Sequence, residues 1–271
     1  MAQGTFDLVI VGGGNMGAAL AEGLLARGIV AADQLAVAEA LGDRRTQLVD
    51  LLPGVHVADT VPPNAAAVLA VKPPDVPDAA AAAVAGGARR LLSIAAGVTT
   101  RQIERAAGGV TPDPVAVIRA MPNTPALVGQ GASAISGGSS ATDEDLAWAE
   151  AVLGGVGLVV RVAESQLDAV TGLSGSGPAY VFLVAEALIA AAVDVGLDPD
   201  LAATLTTQLL VGSAALLAER GDPAALRVMV TSPGGTTAAG LRVLDEREVR
   251  NAFREAVAAA TARSRELSPD H

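Results

Sequence analysis

Cysteine is absent from this chain of 271 residues, and histidine (His56, His271) and lysine (Lys72) are almost absent. Without cysteine there can be no disulfide, thiolate nucleophile, zinc–thiolate site or iron–sulfur cluster. A histidine-rich metal site is excluded too, a Ser-His-Asp triad would have to use His56, and a Schiff base would have to use Lys72. We therefore expect no metal centre, and a chemistry that relies on backbone groups, hydroxyls, carboxylates and a bound cofactor.

Positive charge and aromatic side chains are also scarce. The chain has 18 basic and 29 acidic residues, a net charge of -11, which argues against nucleic acids and anionic membranes as partners. Aromatic residues make up 2% and hydrophobic residues 51%, so the core must consist of Ala, Val, Leu and Ile. No secretory signal is visible, and the apolar stretch 179–193 is short for a membrane span and contains Glu186. We expect a cytoplasmic protein in which this stretch is a buried helix.

The pattern of apolar residues divides the chain in two. Up to about residue 163, short β-branched runs alternate with Ala-rich helical stretches, which is typical of βαβ units on a doubly wound parallel sheet. From residue 164 onwards, long apolar segments at helical spacing replace the strands. We predict an α/β domain over residues 1–163 and an all-helical domain over 164–271. The predicted strands are 8–11, 34–38, 55–57, 67–71, 90–94, 115–120, 132–136 and 158–162.

The strongest local motif is a glycine-rich loop after the first strand. Gly12, Gly14 and Gly17 have the spacing of a Rossmann-type dinucleotide fingerprint, between a strand and a helix predicted over 18–27. Gly12 would form the tight turn, Gly14 would let a pyrophosphate approach, and Gly17 would let the helix pack on the strand. The helix N-terminus, with Asn15 and Met16, would offer N–H groups to the phosphates. The alternative is a strand–helix turn that binds no ligand.

The end of the second strand bears on the choice of cofactor. Glu39 stands about 20 residues beyond the glycines, where an acid binds the ribose hydroxyls of NAD. Arg44 and Arg45 follow closely, and either could reach the 2′-phosphate of NADP. The sequence leaves NADH and NADPH open and favours NADH slightly; Glu39 could also be a solvated carboxylate at a strand end.

Three further strand ends are expected to face the same crevice, because ligands bind at the carboxyl ends of parallel strands. Each could also be an ordinary loop, and Lys72 could simply donate to backbone carbonyls. We assign Lys72 a positioning role and no covalent chemistry. The candidate cofactor contacts at these ends are Ala70, Val71, Lys72, Pro73, Ala95, Ala96, Gly97, Met121, Pro122 and Asn123.

Two loops rich in hydroxyls and glycine open helices in the second half. They are 171–178 and 231–237, and each presents a helix N-terminus that suits an anion such as a carboxylate. The alternative is that both loops only cap their helices, since Ser and Thr are common caps.

Taken together, these motifs resemble pyrroline-5-carboxylate reductases. They occur in order, with family-like spacing, along essentially the whole chain, and the most specific are 171–180 and 231–237. The other matching segments are 12–17, 70–73, 93–97, 119–125 and the final helical stretch, 256–267.

The resemblance implies an activity, a set of site residues and an assembly. The reaction is reduction of 1-pyrroline-5-carboxylate to L-proline by NADPH or NADH, the last step of proline biosynthesis. Thr171 matches the residue beside the substrate, a hydrogen-bond donor or proton source. The helical domain would form dimers, commonly assembled as a homodecamer. The residues expected at the substrate carboxylate are Ser232, Gly234, Gly235, Thr236 and Thr237.

Two other readings remain at this point. A β-hydroxyacid dehydrogenase would share the glycine loop and the helical half, but such enzymes rely on a lysine in the helical domain, and this one has none. A non-catalytic dinucleotide-binding module is disfavoured by the intact loop 231–237.

Overall fold

The computed structural model describes residues 4–267. Eight strands form one sheet in the order β3-β2-β1-β4-β5-β6-β7-β8. All eight predicted strands are present, with ends shifted by up to a few residues. Their bounds are β1 Phe6–Val11, β2 Leu35–Ala38, β3 His56–Ala58, β4 Asn64–Leu69, β5 Arg90–Ser93, β6 Ala116–Met121, β7 Gly131–Gly137 and β8 Gly157–Arg161.

Helices cover both faces of the sheet, so the predicted doubly wound α/β fold is confirmed. One apolar cluster joins the sheet to α1, α2 and α5, and a second joins it to α3 and α4. The packing side chains are small, as in α3, where Ala79, Ala80 and Ala83 are buried. The bounds are α1 Asn15–Ala26, α2 Gly42–Leu51, α3 Val76–Ala85, α4 Thr100–Gly108 and α5 Asp143–Gly154.

The sheet is not parallel throughout. Strand β7 pairs antiparallel with β6, and β8 then pairs parallel with β7. The connection 122–130 contains only a 3₁₀ turn, Thr124–Val128. A parallel return needs a crossover of about a dozen residues or more, so this short connection brings the chain back antiparallel.

The rest of the chain is helical, as the sequence predicted. A 3₁₀ turn (Glu164–Gln166) leads into α6, a π-helical turn (Thr171–Gly175) and then α7. The helices are α6 Leu167–Val170, α7 Gly177–Asp194, α8 Pro199–Arg220, α9 Pro223–Met229, α10 Thr236–Glu246 and α11 Val249–Glu266.

The chain forms two compact units. The sheet unit runs to Ser176 and resumes at Ala259, and the helical unit is Gly177–Ala258. The domain division after residue 163 stays a prediction; the compact units group 164–176 and the end of α11 with the sheet unit. One long-range contact in the sheet unit joins these two segments: the Ser264 hydroxyl donates to the buried Asp168 carboxylate at 2.7 Å.

The expectation of a buried helix at 179–193 is wrong for the single chain. No residue of α7 is buried, and Phe182 and Leu183 are more than 60% exposed. The stretches Glu164–Asp194 and Pro199–Arg220 are both long and apolar enough to span a membrane by length and composition. The hydropathy of a segment indicates that its side chains are apolar. It does not indicate whether those side chains are buried by the same chain or by another one.

Candidate active site

A cleft lies at the carboxyl ends of β1, β2 and β4. Strand β1 is flanked by β2 on one side and by β4 on the other, so the chain reverses its direction of winding here. Ligands of open α/β sheets bind at such a switch point. The cleft has a volume of about 600 Å³, within the range of small-molecule sites, and is lined by Gly12, Gly14, Glu39, Val71 and Lys72, among others.

The predicted glycine loop has the local geometry of a dinucleotide cradle. Gly12 has φ of +104°, and a Cβ there would lie 2.5 Å from the Ala70 carbonyl oxygen. A Cβ on Gly17 would collide with the Gly12 carbonyl oxygen, so the helix packs closely on the loop. A Cβ on Gly14 would meet none of the described atoms within 4 Å, so this side stays open to a ligand.

Helix α1 begins three residues earlier than predicted, at Asn15, with Gly14 as its N-cap. No side chain caps this end among the described residues, so its first N–H groups remain available to bind an anion. Asn15 is exposed there, whereas the Met16 side chain packs partly against the core. Met16 could therefore contribute only its backbone to the cofactor.

Glu39 is tied to the glycine loop by two backbone hydrogen bonds. Its carboxylate accepts from the Gly13 N–H at 2.9 Å and from the Leu41 N–H at 2.8 Å. Arg44 donates to the Gly13 carbonyl at 2.7 Å, and Arg45 donates to the carbonyls of Glu39 and Ala40. Both candidate phosphate ligands are thus engaged with the loop backbone, and the carboxylate is fixed at the edge of the cleft.

Lys72 lies just past β4, at the start of the 3₁₀ turn Pro73–Asp75, and lines the cleft with Ala70 and Val71. It is exposed, and within residues 4–267 no hydrogen bond of its ammonium group is found. The segment 95–97 follows β5 and contains a buried Ala95, an exposed Ala96 and Gly97 with φ of +77°. These positions agree with a cofactor-facing role.

Thr171 lies on the π-helical turn, which packs at the end of β6. A Cβ on Gly175 of this turn would lie 2.6 Å from the Met121 Cε. The Thr171 hydroxyl donates to the Leu167 carbonyl at 2.8 Å, which leaves its lone pairs available as acceptors. Asn123 donates to the Ser174 carbonyl at 3.1 Å, and Pro122 beside it is buried. The structure therefore joins the predicted sites at 121–123 and 171.

The predicted substrate loop belongs to the helical unit. Gly235 is the N-cap of α10, Gly234 has φ of +71°, and Gly235 N–H donates to the Ser232 carbonyl at 3.1 Å. Among the described residues no side chain caps α10, so the hydroxyls of Ser232, Thr236 and Thr237 are not used as N-caps, contrary to the capping alternative.

Sequence reasoning missed part of the cleft wall. Asp59, Thr60 and Val61 line it, and they directly follow β3. The rule that ligands face strand ends could have found them, because the third strand was predicted. The Asn123–Ser174 contact had no sequence signal, since it links positions 51 residues apart.

Comparisons with known proteins agree with this arrangement. Residues 7–97 match the family "NADP oxidoreductase coenzyme F420-dependent", and 164–267 match "Pyrroline-5-carboxylate reductase dimerisation". A pyrroline-5-carboxylate reductase of Mycobacterium leprae is 42% identical, with 96% of both chains covered, and one of Synechocystis is 43% identical, with 97% and 98% covered.

Solved structures give the same result. A pyrroline-5-carboxylate reductase from Coxiella burnetii has a TM-score of 0.87 and 34% identity, with 98% of this chain and 99% of that chain covered. A Plasmodium falciparum pyrroline carboxylate reductase with NADP bound has a TM-score of 0.82 and 26% identity, with 98% and 100% covered.

The glycine cradle, the switch-point cleft and the oxidoreductase match define a dinucleotide-dependent oxidoreductase. More specifically, the chain belongs to the pyrroline-5-carboxylate reductase family. It also carries the dimerisation region of that family, and the exposed apolar helices α7 and α8 lie within that region. The chain therefore forms oligomers.

Proposed function

We propose that this chain reduces 1-pyrroline-5-carboxylate with a cofactor bound at the carboxyl end of its sheet. The reaction is NAD(P)H-dependent reduction to proline, the final step of proline biosynthesis. The observation that carries the site assignment is the cleft itself, where the glycine cradle, the Glu39 carboxylate and Lys72 meet at the switch point.

The residues of the cleft suit a dinucleotide, because no described side chain caps the start of α1, Gly14 leaves an open side, and a carboxylate follows β2. We assign the pyrophosphate to the N–H groups of 15–17, the adenosine ribose to Glu39, and further contacts to 70–73, 95–97 and 121–122. When bound, the nicotinamide supplies the hydride. Lys72, at the mouth, would add positive charge beside the phosphates.

Thr171 is assigned to the imine nitrogen. Reduction of an imine needs a proton on nitrogen, and a protonated imine carries an N–H donor. The Thr171 hydroxyl already donates its hydrogen bond to the Leu167 carbonyl, so we assign it the role of an acceptor that holds this N–H, in place of the donor or proton source that the resemblance implies. No strong general acid is required if the substrate enters already protonated, which fits a chain with two histidines.

The substrate carboxylate is assigned to the loop with Ser232, Gly234, Gly235, Thr236 and Thr237. The uncapped start of α10 offers backbone N–H groups and a partial positive charge to an anion. We further propose that the exposed helices α7 and α8 face a second copy of the chain rather than lipid. The assembly is a decamer of five dimers, located in the cytoplasm, without nucleic acid or membrane partners.

The test is oxidation of NADH and of NADPH in the presence of 1-pyrroline-5-carboxylate. We expect turnover, and we expect Thr171→Val to lower kcat about tenfold or more, the effect of losing one hydrogen bond to a charged group. Unchanged kinetics in Thr171→Val would remove Thr171 from the site, and absence of turnover with either cofactor would overturn the function.

A further inference from the structure

Asn123 lies where three segments meet: the end of β6, the start of β7 and the π-helical turn Thr171–Gly175. Its Oδ1 accepts the Ala132 N–H at 2.8 Å, and its Nδ2 donates to the Ser174 carbonyl at 3.1 Å. A backbone N–H can only donate and a backbone carbonyl can only accept, so these partners fix the orientation of the amide. The side chain thus connects the sheet to the turn.

The Ser174 carbonyl lacks its usual hydrogen-bond donor within the helix, and the sequence shows why. In an α-helix this carbonyl would accept the N–H of the residue four positions later. That residue is Pro178, which has no N–H. The turn is instead wide, with the Ser176 N–H donating to the Thr171 carbonyl at 2.8 Å. Asn123 therefore supplies a donor that the helix cannot supply from position 178.

The same turn carries Thr171. Thr171 begins the turn and its carbonyl accepts the Ser176 N–H, while Gly175 ends the turn against Met121, so the path of the turn and the position of Thr171 are linked. Single π turns inside helices are rare and occur frequently at functional sites. A misplacement of about 1 Å in a site can cost roughly 100-fold in rate.

We propose that Asn123 is a positioning residue: its amide holds the π-helical turn in the shape that keeps the Thr171 hydroxyl beside the imine. This inference rests on the proposed function of Thr171. It differs from the expectation that Asn123 binds the cofactor, because Asn123 acts here through Ser174, with one N–H and one oxygen lone pair of its amide already engaged.

The variant that tests this is Asn123→Asp. It keeps an oxygen for the Ala132 N–H but places a second oxygen against the Ser174 carbonyl. We expect kcat to fall by about 10- to 100-fold, with the KM for NADH nearly unchanged. Gln130→Glu, the same change of amide to carboxylate at an exposed position of the same connection, should retain wild-type kcat. Circular dichroism and NADH fluorescence titration show whether each variant is folded.

A rescue experiment addresses the Ser174 carbonyl directly. Pro178→Ala restores an N–H at the position from which an α-helix would serve that carbonyl. Asn123→Ala should therefore lower kcat by a clearly smaller factor in the Pro178→Ala background than in the wild-type background. A role of Asn123 that does not pass through the Ser174 carbonyl would give equal factors in both backgrounds.

The outcomes separate this inference from the function itself. Wild-type kcat in Asn123→Asp, alongside a slow Thr171→Val, overturns the positioning role only. A raised KM for NADH at unchanged kcat also overturns it, because Asn123 would then bind the cofactor directly. An equal decrease of kcat by Asn123→Ala in the wild-type and Pro178→Ala backgrounds overturns it as well. If Thr171→Val is as active as wild type, the role of Thr171 fails and this inference fails with it.

Discussion

At the residue scale, the choice between the two cofactors depends on Glu39 and its neighbours. The carboxylate is held by the N–H groups of Gly13 and Leu41, so it cannot swing away from the ribose edge of the cleft. The nearest arginines, Arg44 and Arg45, are engaged with backbone carbonyls. Each guanidinium has five N–H donors and gives only one or two of them to these carbonyls, so the fixed negative charge of Glu39 is what opposes a 2′-phosphate.

We therefore expect NADH to be preferred over NADPH in kcat/KM. Glu39→Gln should lower the ratio of kcat/KM for NADH to kcat/KM for NADPH by about 10- to 100-fold. This factor corresponds to about 1.5–3 kcal/mol, the usual contribution of hydrogen bonds to a charged group. Asp50→Asn, which removes the same charge at an exposed position of α2, is the control. A wild-type preference for NADPH would mean that Arg44 or Arg45 holds the phosphate with the N–H groups that these carbonyls do not use.

Sequence reasoning found Glu39 because the fingerprint has a fixed spacing, but it could not tell how the arginines are used. Arg44 and Arg45 are adjacent and chemically alike. Only the folded loop shows that one reaches the Gly13 carbonyl and the other the carbonyls of Glu39 and Ala40.

At the element scale, α5 is anchored by a carboxylate at its first turn. Thr142 and Asp145 form a capping box, and Arg90 from β5 donates to Asp145 at 2.6 Å. Burial on its own would raise the pKa of Asp145. Hydrogen bonds from the Thr142 backbone and side chain, together with the Arg90 guanidinium, outweigh burial and hold the pKa below its ordinary 3.8.

This depressed pKa makes a prediction about stability. Asp145 contributes its full stabilisation above about pH 4, which is the pKa of an aspartate in the unfolded chain. This stabilisation is lost as the pH falls through the lower pKa of the folded state. Asp145→Asn should cost about 2 kcal/mol in free energy of unfolding at pH 7, and the difference from wild type should shrink below about pH 4. Urea unfolding at several pH values measures this.

The exposed partner of Arg161 provides the comparison for that measurement. Glu150 pairs with Arg161 at 2.7 Å, but both side chains are more than a third exposed, and surface pairs contribute little. Glu150→Gln should therefore change stability slightly at any pH. A difference for Asp145→Asn that is independent of pH would contradict the role of the charge.

At the scale of the whole molecule, the apolar surface of the helical unit requires a partner. Helix α7 has no buried residue in one chain, although it lies in a stretch with a mean hydropathy of 1.7. The stretch is part of the family dimerisation region, 164–267. A surface of this kind is stable in water only when another apolar surface covers it.

We expect Phe182→Asp to weaken association, because it places a charge on a side chain that is 61% exposed in one chain. The wild type should sediment as a multiple of 26.8 kDa, and the variant should dissociate at concentrations where the wild type does not. Val49→Asp, an equally apolar exposed position on α2, is the control. An unchanged mass in Phe182→Asp would contradict the interface, and binding of the wild type to lipid vesicles would favour a membrane.

The sequence by itself determined the fold class, the glycine cradle, the strand ends and the family, because these depend on local periodicity and on motifs with fixed spacing. The tertiary structure decided the antiparallel return of β7, the link from Asn123 to the π-helical turn, the contact of Ser264 with Asp168, and the exposure of α7. These features join residues far apart in the chain or depend on which surface is left uncovered. The periodicity of side chains predicts neither long-range contacts nor uncovered surfaces, because it records only whether each side chain is apolar or polar.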